Sequence, residues 1–311
     1  MSKRLFGLKS KLRKMFWVDS WAIGIVHEPI YTFLDPEASH HICWVPLQRK
    51  GTFAADPFAT AEDGRICILF EEFDFKKDKG VIAGLELDTS LVSPRFHRVL
   101  DSECHVSYPY LIEHEDALYM IPETSADREI VLLKSERLPD LWEKVGVLLK
   151  DVAAVDSTVF KYDGRWWIAF TDGDNGPNSL LHIWHAPDLF GPWEAHAANP
   201  VKNDVFSSRP GGTPFEHDGI LYRPAQDCSC TYGGSIVINR VLKLTPTEFE
   251  EEIVTRIRPQ KDGIYPDGLH TISSAGGITL IDGKRFMFSP VALKVALAKK
   301  TSSLVSRRKA A

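Results

Sequence analysis

Apolar and polar positions repeat along this chain as a unit of roughly fifty residues, and one hairpin pattern heads each unit. A polar or proline-containing opening leads into an apolar strand. A tight turn follows, then a second strand rich in aromatic residues. The first copy runs from Ala55-Asp56-Pro57-Phe58 through Asp63-Gly64 to Phe70, and the second from Ser107-Tyr108-Pro109-Tyr110 through Glu115-Asp116 to Met120. The third opens at Asp156-Ser157-Thr158 and turns at Asp163-Gly164, and the fourth opens at Arg209-Pro210-Gly211 and turns at Asp218-Gly219. The fifth opens at Gly268-Leu269-His270-Thr271, with Asp282-Gly283 as its expected turn. Asp-Gly between two apolar runs marks a tight β-hairpin, because both residues tolerate the backbone such turns require. Residues 80–85, 130–133 and 180–184 supply further strands, and residues 21–26 either complete a blade or close a ring. The pattern predicts an all-β fold, a five-bladed β-propeller. A β-sandwich would show a shorter period and no copied hairpin.

In a propeller the first strand of each blade runs along the axis and the second returns antiparallel to it. Openings and strand-two ends therefore share one face. The openings bring Asp56, Tyr108, Asp156, Arg209 and His270 to it, and the strand-two ends bring Glu71, Glu72, Glu123, Asp172, Asp174 and Asp227. Carboxyl groups crowded around one mouth have pKa values driven apart, which is what acid and base work on a glycosidic bond needs. A single Asp at a strand opening often only accepts N–H bonds within its own turn. That three of the five openings should all be inert fits the pattern less well.

Charge narrows the classes. Residues 1–18 and 294–311 each carry six Lys/Arg and no acid, which leaves 25 basic and 42 acidic residues between them, 25 − 42 = −17. So acidic a body excludes nucleic acid, whose phosphates need a basic surface. The division expected is a basic N-terminal segment (1–18), a propeller (19–293) and a basic tail (294–311). In the first segment Leu5, Leu8, Leu12, Met15 and Phe16 recur at helical spacing among Lys and Arg, the composition of a helix lying on an anionic membrane. A solvated basic tail fits equally well, and Gly7 weakens the helix.

No stretch of about 18 apolar residues predicts a membrane-spanning helix, and no apolar core of a signal peptide appears. The five cysteines lack framework spacing, and Cys228-Ser-Cys230 has no second pair at zinc spacing, so neither disulfides nor a metal site is expected. His40 and His41, adjacent in sequence, would point apart on a strand. Gly233-Gly234 and Gly276-Gly277 read as turns or bulges rather than phosphate loops, so no cofactor is expected. A cytoplasmic protein, with membrane contact through residues 1–18, is the simplest account.

Two resemblances add to this reading. Ala55-Asp56-Pro57, Asp156-Ser157-Thr158-Val159-Phe160 and the blade ending Asp188-Leu189-Phe190-Gly191-Pro192-Trp193-Glu194 resemble family 43 glycoside hydrolases, five-bladed propellers. That resemblance implies that Asp56 matches the general base and Asp156 the residue that orients and tunes the acid. The family's acid, a Glu opening the fourth blade, is replaced here by Arg209. Either Glu123 or Glu72 then supplies the acid, or the chain is not a hydrolase of that type; an Arg at that place favours an anionic group. The second resemblance spans residues from about 21 to 288 and is carried by Phe53-Ala54-Ala55-Asp56-Pro57-Phe58, Ser107-Tyr108-Pro109-Tyr110, Ile121-Pro122-Glu123-Thr124-Ser125 and Tyr222-Arg223-Pro224-Ala225-Gln226-Asp227-Cys228. These phrases look like the N-terminal propeller of plant glucosamine inositolphosphorylceramide transferases; similar bacterial domains stand alone or beside formyltransferase-like domains. In the plant proteins glycosyl transfer is attributed to a separate C-terminal domain, so the resemblance implies a place near glycan or glycolipid assembly.

Three readings stay open. In the first, the propeller transfers or hydrolyses a glycosyl group on a carbohydrate or glycolipid, with Asp56 as base or nucleophile, Glu123 as acid and Asp156 orienting. Tyr108, Arg209, Arg223, Asp227, His270 and Glu72 would then hold the substrate. In the second, a non-catalytic module presents a glycan or lipid headgroup to a partner transferase. The third is a protein-interaction propeller, which needs no polar mouth.

Overall fold

The computed structural model describes residues 17–288 apart from 48, 50, 63–64 and 89–94. All but two residues of the basic N-terminal segment, and the whole basic tail, lie outside the described residues. Five antiparallel sheets form the five blades of a β-propeller. Blade I consists of Thr52–Glu62, Arg65–Asp74, Lys79–Asp88 and Arg95–Leu100. Blade II consists of Ser107–His114, Ala117–Glu123, Glu129–Arg137 and Leu141–Lys150. Blade III holds Ala154–Tyr162, Arg165–Asp172, Leu180–Ala186 and Glu194–Ala195, with Lys202–Asn203 beside the third strand. Blade IV holds Phe215–His217, Ile220–Asp227, Ser235–Leu244 and Phe249–Ile257.

Blade V is sewn from both ends of the described chain. Ile272–Ala275 and Ile278–Phe288 supply its inner strands, and Trp17–Val26 and Cys43–Trp44 its outer ones. Trp17–Val26 pairs along its whole length with Ile278–Phe288, from Trp17 opposite Phe288 to Val26 opposite Thr279. The early strand therefore closes the ring. One expectation is corrected here: the fifth hairpin turns at Gly276-Gly277, both at positive φ, while Asp282 and Gly283 lie inside the strand. The glycine pair meets the φ requirement of the turn, and this leaves Asp282 free to face the axis.

Each blade is apolar on both faces because each face packs on a neighbour. In Arg65–Asp74, Ile66, Ile68 and Phe70 join Ile23, Ile25 and Leu280 of blade V, while Cys67 and Leu69 join Val106 and Met120 of blade II. Three further clusters fill the remaining blade interfaces, so the core is five slabs around a ring rather than one centre. This explains why the second strands read as near-continuous apolar runs instead of alternating ones.

Three first strands open with a bulge. Pairing slips between Ala55 and Phe58, between Ser107 and Tyr110, and between Val155 and Thr158. The bulged residues Asp56, Tyr108 and Asp156 take left-handed backbones, with φ of 52°, 45° and 54°. Such residues cost about 1–3 kcal/mol each outside glycine, and the strain re-aims a side chain. In blade IV a glycine does the corresponding work. Gly212 sits at φ 126°, its N–H donates to the Tyr108 hydroxyl at 2.9 Å, and a Cβ there would lie 1.7 Å from the Ile272 carbonyl oxygen. Gly212→Ala should therefore destabilise the fold by about 3 kcal/mol or more. Gly219→Ala, at a turn with open space around it, should cost about 1 kcal/mol. Urea unfolding of both variants measures the difference.

Candidate functional site

The bulges turn backbone N–H groups toward the carboxylates of the preceding blade. Asp156 N–H donates to Glu123 Oε2 at 3.1 Å, and Asp56 N–H donates to Asp282 Oδ2 at 3.3 Å. Glu71, Glu123 and Asp282 occupy corresponding positions: each pairs with the residue one before or at its blade's opening, Glu71 with Ala55, Glu123 with Ser107, and Asp282 through its N–H to Thr271. With Asp56 and Asp156, they bring five carboxyl groups to one region.

Asp56 and Asp282 are bridged by His270. Its Nδ1 lies against Asp282 Oδ2 and its Nε2 is 3.6 Å from Asp56 Oδ1. The N–H groups of His270 and Thr271 donate to Asp282 Oδ1 at 2.9 and 3.1 Å, and the Thr271 hydroxyl donates to Asp56 Oδ1 at 2.6 Å. Trp21 stacks flat on the imidazole at 3.8 Å and seals it from water. Burial alone would lower the His270 pKa, but the charges of Asp282 and Asp56 outweigh it and hold the ring above its ordinary value. The ligand atoms of Asp56, His270 and Asp282 lie within 4.8 Å of one another, a spacing that could hold a metal ion. The hydrogen bonds just described already engage both carboxylates.

Arg209 spans the other side. Its Nε donates to Asp156 Oδ2 at 2.6 Å, its Nη1 to Asn178 Oδ1 at 3.0 Å, and its guanidinium lies 4.8 Å from the centre of the Tyr232 ring. Gln226 Nε2 donates to the same Asp156 oxygen at 2.6 Å. Tyr232 is 37% exposed and presents an aromatic face beside a cation, the kind of surface on which a sugar ring rests.

Proton affinities in the cluster diverge. Burial, partly opposed by His270, pushes Asp56 up to about 6. Burial and the charge of Asp156, partly opposed by Arg209, push Glu123 up to about 8. Glu71 is driven well above the carboxylate range by burial, then by the negative charge of Asp56 and Glu123. Near neutral pH Glu123 therefore holds a proton while Asp56 is largely ionised.

The structure gathers Asp56, Glu123, Asp156, Arg209 and His270 as the sequence predicts, and moves the other candidates elsewhere. Tyr108 reaches across from blade II; its fully buried hydroxyl meets Thr158 Oγ1 at 2.9 Å and the Gly212 N–H, so it plugs the axis rather than facing a ligand. Glu72 points to the other face of its strand and pairs with Arg49 at 2.8 Å; Glu71 takes its place in the cluster. Arg223 is consumed by Glu251 and the Ser207 and Ser208 carbonyls within blade IV. Asp227 pairs with Arg256, and Asp174 with Arg128. Gln226, Asp282 and Tyr232 complete the site without having been singled out. A cleft of about 380 Å³ between blades IV and V, lined by His40, Trp44 and Tyr265, lies apart from the carboxylates.

A five-bladed ring of this kind is the fold of glycoside hydrolase propellers. An α-L-arabinofuranosidase from Podospora anserina superposes with a TM-score of 0.57 at 9% identity, over 79% of this chain and 94% of that one. A family 117 glycoside hydrolase from Zobellia galactanivorans gives 0.52 at 12% identity, over 85% and 90%. At such identities the likeness is one of fold. Sequence is more specific: residues 38–266 match the family of the N-terminal region of glucosamine inositolphosphorylceramide transferase 1, and the chain belongs to that family. The rice (Oryza sativa subsp. japonica) protein of that name is 32% identical over 248 residues, 75% of this chain and 33% of its own length. The Arabidopsis thaliana protein is 29% identical over the same share of this chain. The chain thus spans about a third of these relatives.

The raised carboxyl pKa values carry a stability signature. The folded state binds the Glu123 proton more tightly than the unfolded chain does. Its contribution is therefore full below the ordinary value of 4.5 and is lost as pH rises through about 8. Wild-type stability should decline across that window, and Glu123→Gln should flatten the decline and gain on wild type at the alkaline end. Denaturant midpoints at a series of pH values measure this.

Proposed function

We propose that the propeller recognises a sugar or a sugar-bearing lipid headgroup at the axial mouth and transfers or cleaves its glycosyl bond. Glu123 donates a proton to the leaving oxygen, and Asp56 accepts one from the attacking hydroxyl or attacks directly. Asp156 positions both partners, holding Glu123 through its own N–H and Arg209 through its carboxylate. The observation that supports this reading is the divergence of two carboxyl groups of the mouth, Asp56 and Glu123, to either side of neutrality. Family membership supports a glycolipid context. Arg209 and Tyr232 offer a cation and a ring to an anionic or hydroxyl-rich group.

One observation favours a second reading, a module that binds a headgroup for a partner transferase. Arg209 stands where family 43 hydrolases open their fourth blade with the acid, and it is locked by Asp156 and Asn178.

A thermal-shift screen of sugars, sugar phosphates, nucleotide sugars and inositol-containing headgroups identifies a ligand, and turnover is then followed on it. Catalysis predicts that Asp56→Asn and Glu123→Gln each lower kcat by about a hundredfold or more while the melting temperature stays within a few degrees. The rate should rise with pH through about 6, as Asp56 ionises, and fall through about 8, as Glu123 loses its proton. Stabilisation by a ligand that wild type never converts would favour the binding module.

A further inference from the structure

The mouth face carries exposed apolar groups, and they are unevenly placed. Phe206 lies in the loop that feeds Arg209, and Ile264 in the loop that feeds His270; both loops open first strands and so stand on the mouth side. Trp17 and Phe288 are cross-strand partners at the end of the closing ribbon, beyond Lys284 and on the same side. These four are 46%, 47%, 60% and 54% exposed in chain order, and all belong to blades IV and V. They form one rim. The ribbon is bound to the blade IV–V loops: Phe286 N–H donates to Asp267 Oδ2 at 2.8 Å, and Lys284 Nζ reaches the Tyr232 carbonyl. On the opposite face the exposed rings have ring neighbours, Tyr31 stacked on His217 and Phe190 against Tyr119. Trp17, Phe206 and Phe288 stack on no ring among the described residues.

The chain on either side of this ribbon is basic in sequence. Residues 1–16 join the ribbon at Trp17 and residues 289–311 join it at Phe288; each segment carries six Lys/Arg and no Asp or Glu. The body between them holds 25 basic against 42 acidic residues, 25 − 42 = −17. An anionic surface attracts the ends of the ribbon and repels the rest of the propeller, so the charge distribution fixes orientation as well as attraction. Aromatic and aliphatic side chains of this size partition into the headgroup boundary once brought there.

We propose that the blade IV–V rim of the mouth face docks on an anionic lipid bilayer, with Trp17, Phe206, Ile264 and Phe288 entering the headgroup layer. The mouth then faces the membrane. The proposal goes beyond attachment through the N-terminal segment, because it assigns the contact to the folded rim, and it stands whether or not the site turns over a sugar.

Flotation of the full chain with phosphatidylcholine vesicles, with and without about 30 mol% phosphatidylserine, tests it. Binding should require phosphatidylserine and weaken between roughly 0.1 M and 0.5 M salt. The rim variant Phe206→Ser/Ile264→Ser should bind about tenfold more weakly. The opposite-face variant Leu141→Ser/Leu242→Ser should bind as wild type does. Vesicles with brominated acyl chains provide a readout on the unaltered protein: they should quench tryptophan fluorescence, and Trp17→Phe should abolish the quenching. No binding to the anionic vesicles, equal binding by rim variant and wild type, or no quenching would each overturn the proposal.

Discussion

Asp56, Glu71, Glu123, Asp156 and Asp282 bring five carboxyl groups to one axis, where Arg209 pairs with Asp156, and His270 with Asp56 and Asp282. So many buried negative charges cannot coexist in a medium of low dielectric; protons must be retained by some of them. The geometry decides which. Asp56 and Asp282 share the imidazole of His270, and Asp156 takes the guanidinium of Arg209. Glu71 and Glu123 are left without a full counter-charge and keep their protons most tightly. The acid–base asymmetry of the mouth is thus a consequence of where two cations could be placed.

Backbone geometry produces that placement. A regular strand would alternate its side chains between neighbouring blades and send few to the axis. The bulges at Asp56, Tyr108 and Asp156 break the alternation at one level of three successive blades, and the N–H groups of Asp56 and Asp156 are taken up by carboxylates of the blade before. One device satisfies the bulged amide, aims the side chain inward and links adjacent blades. Closure matters equally, since Asp282 and the Trp21 that covers His270 lie on neighbouring strands of blade V, held in register by the pairing of Ile23 with Asp282 and Trp21 with Lys284.

Much of this was written plainly in the chain. Repeated Asp-Gly hairpins and copied openings establish the number of blades, and the openings name Asp56, Asp156, Arg209 and His270. What stayed hidden depends on register. Glu71 and Glu72 are adjacent acids at a strand end, and only the parity that puts Leu69 against blade II and Phe70 against blade V separates the axial one from its neighbour. Asp282-Gly283 imitates a turn because the local signal is the same dipeptide, while the true turn, after the four-residue strand Ile272–Ala275, is the glycine pair Gly276-Gly277. Arg223 and Asp227 occupy the right strand, but Glu251 and Arg256 on the last strand of blade IV claim them, and partners that distant in sequence leave no local trace. Gln226, neutral and unremarkable in a list of charges, proves to be the second donor to Asp156.

The acid–base chemistry proposed for the mouth rests on Glu123 holding a proton at a pH where Asp56 does not. Carbon-13 NMR titration of the side-chain carboxyls, with Asp56→Asn and Glu123→Gln used to assign the two resonances, measures this directly. The account predicts one carboxyl titrating near 8 and absent from the glutamine variant, and another near 6 and absent from the asparagine variant. Titration of both groups in the ordinary carboxylate range, near 4, would contradict it.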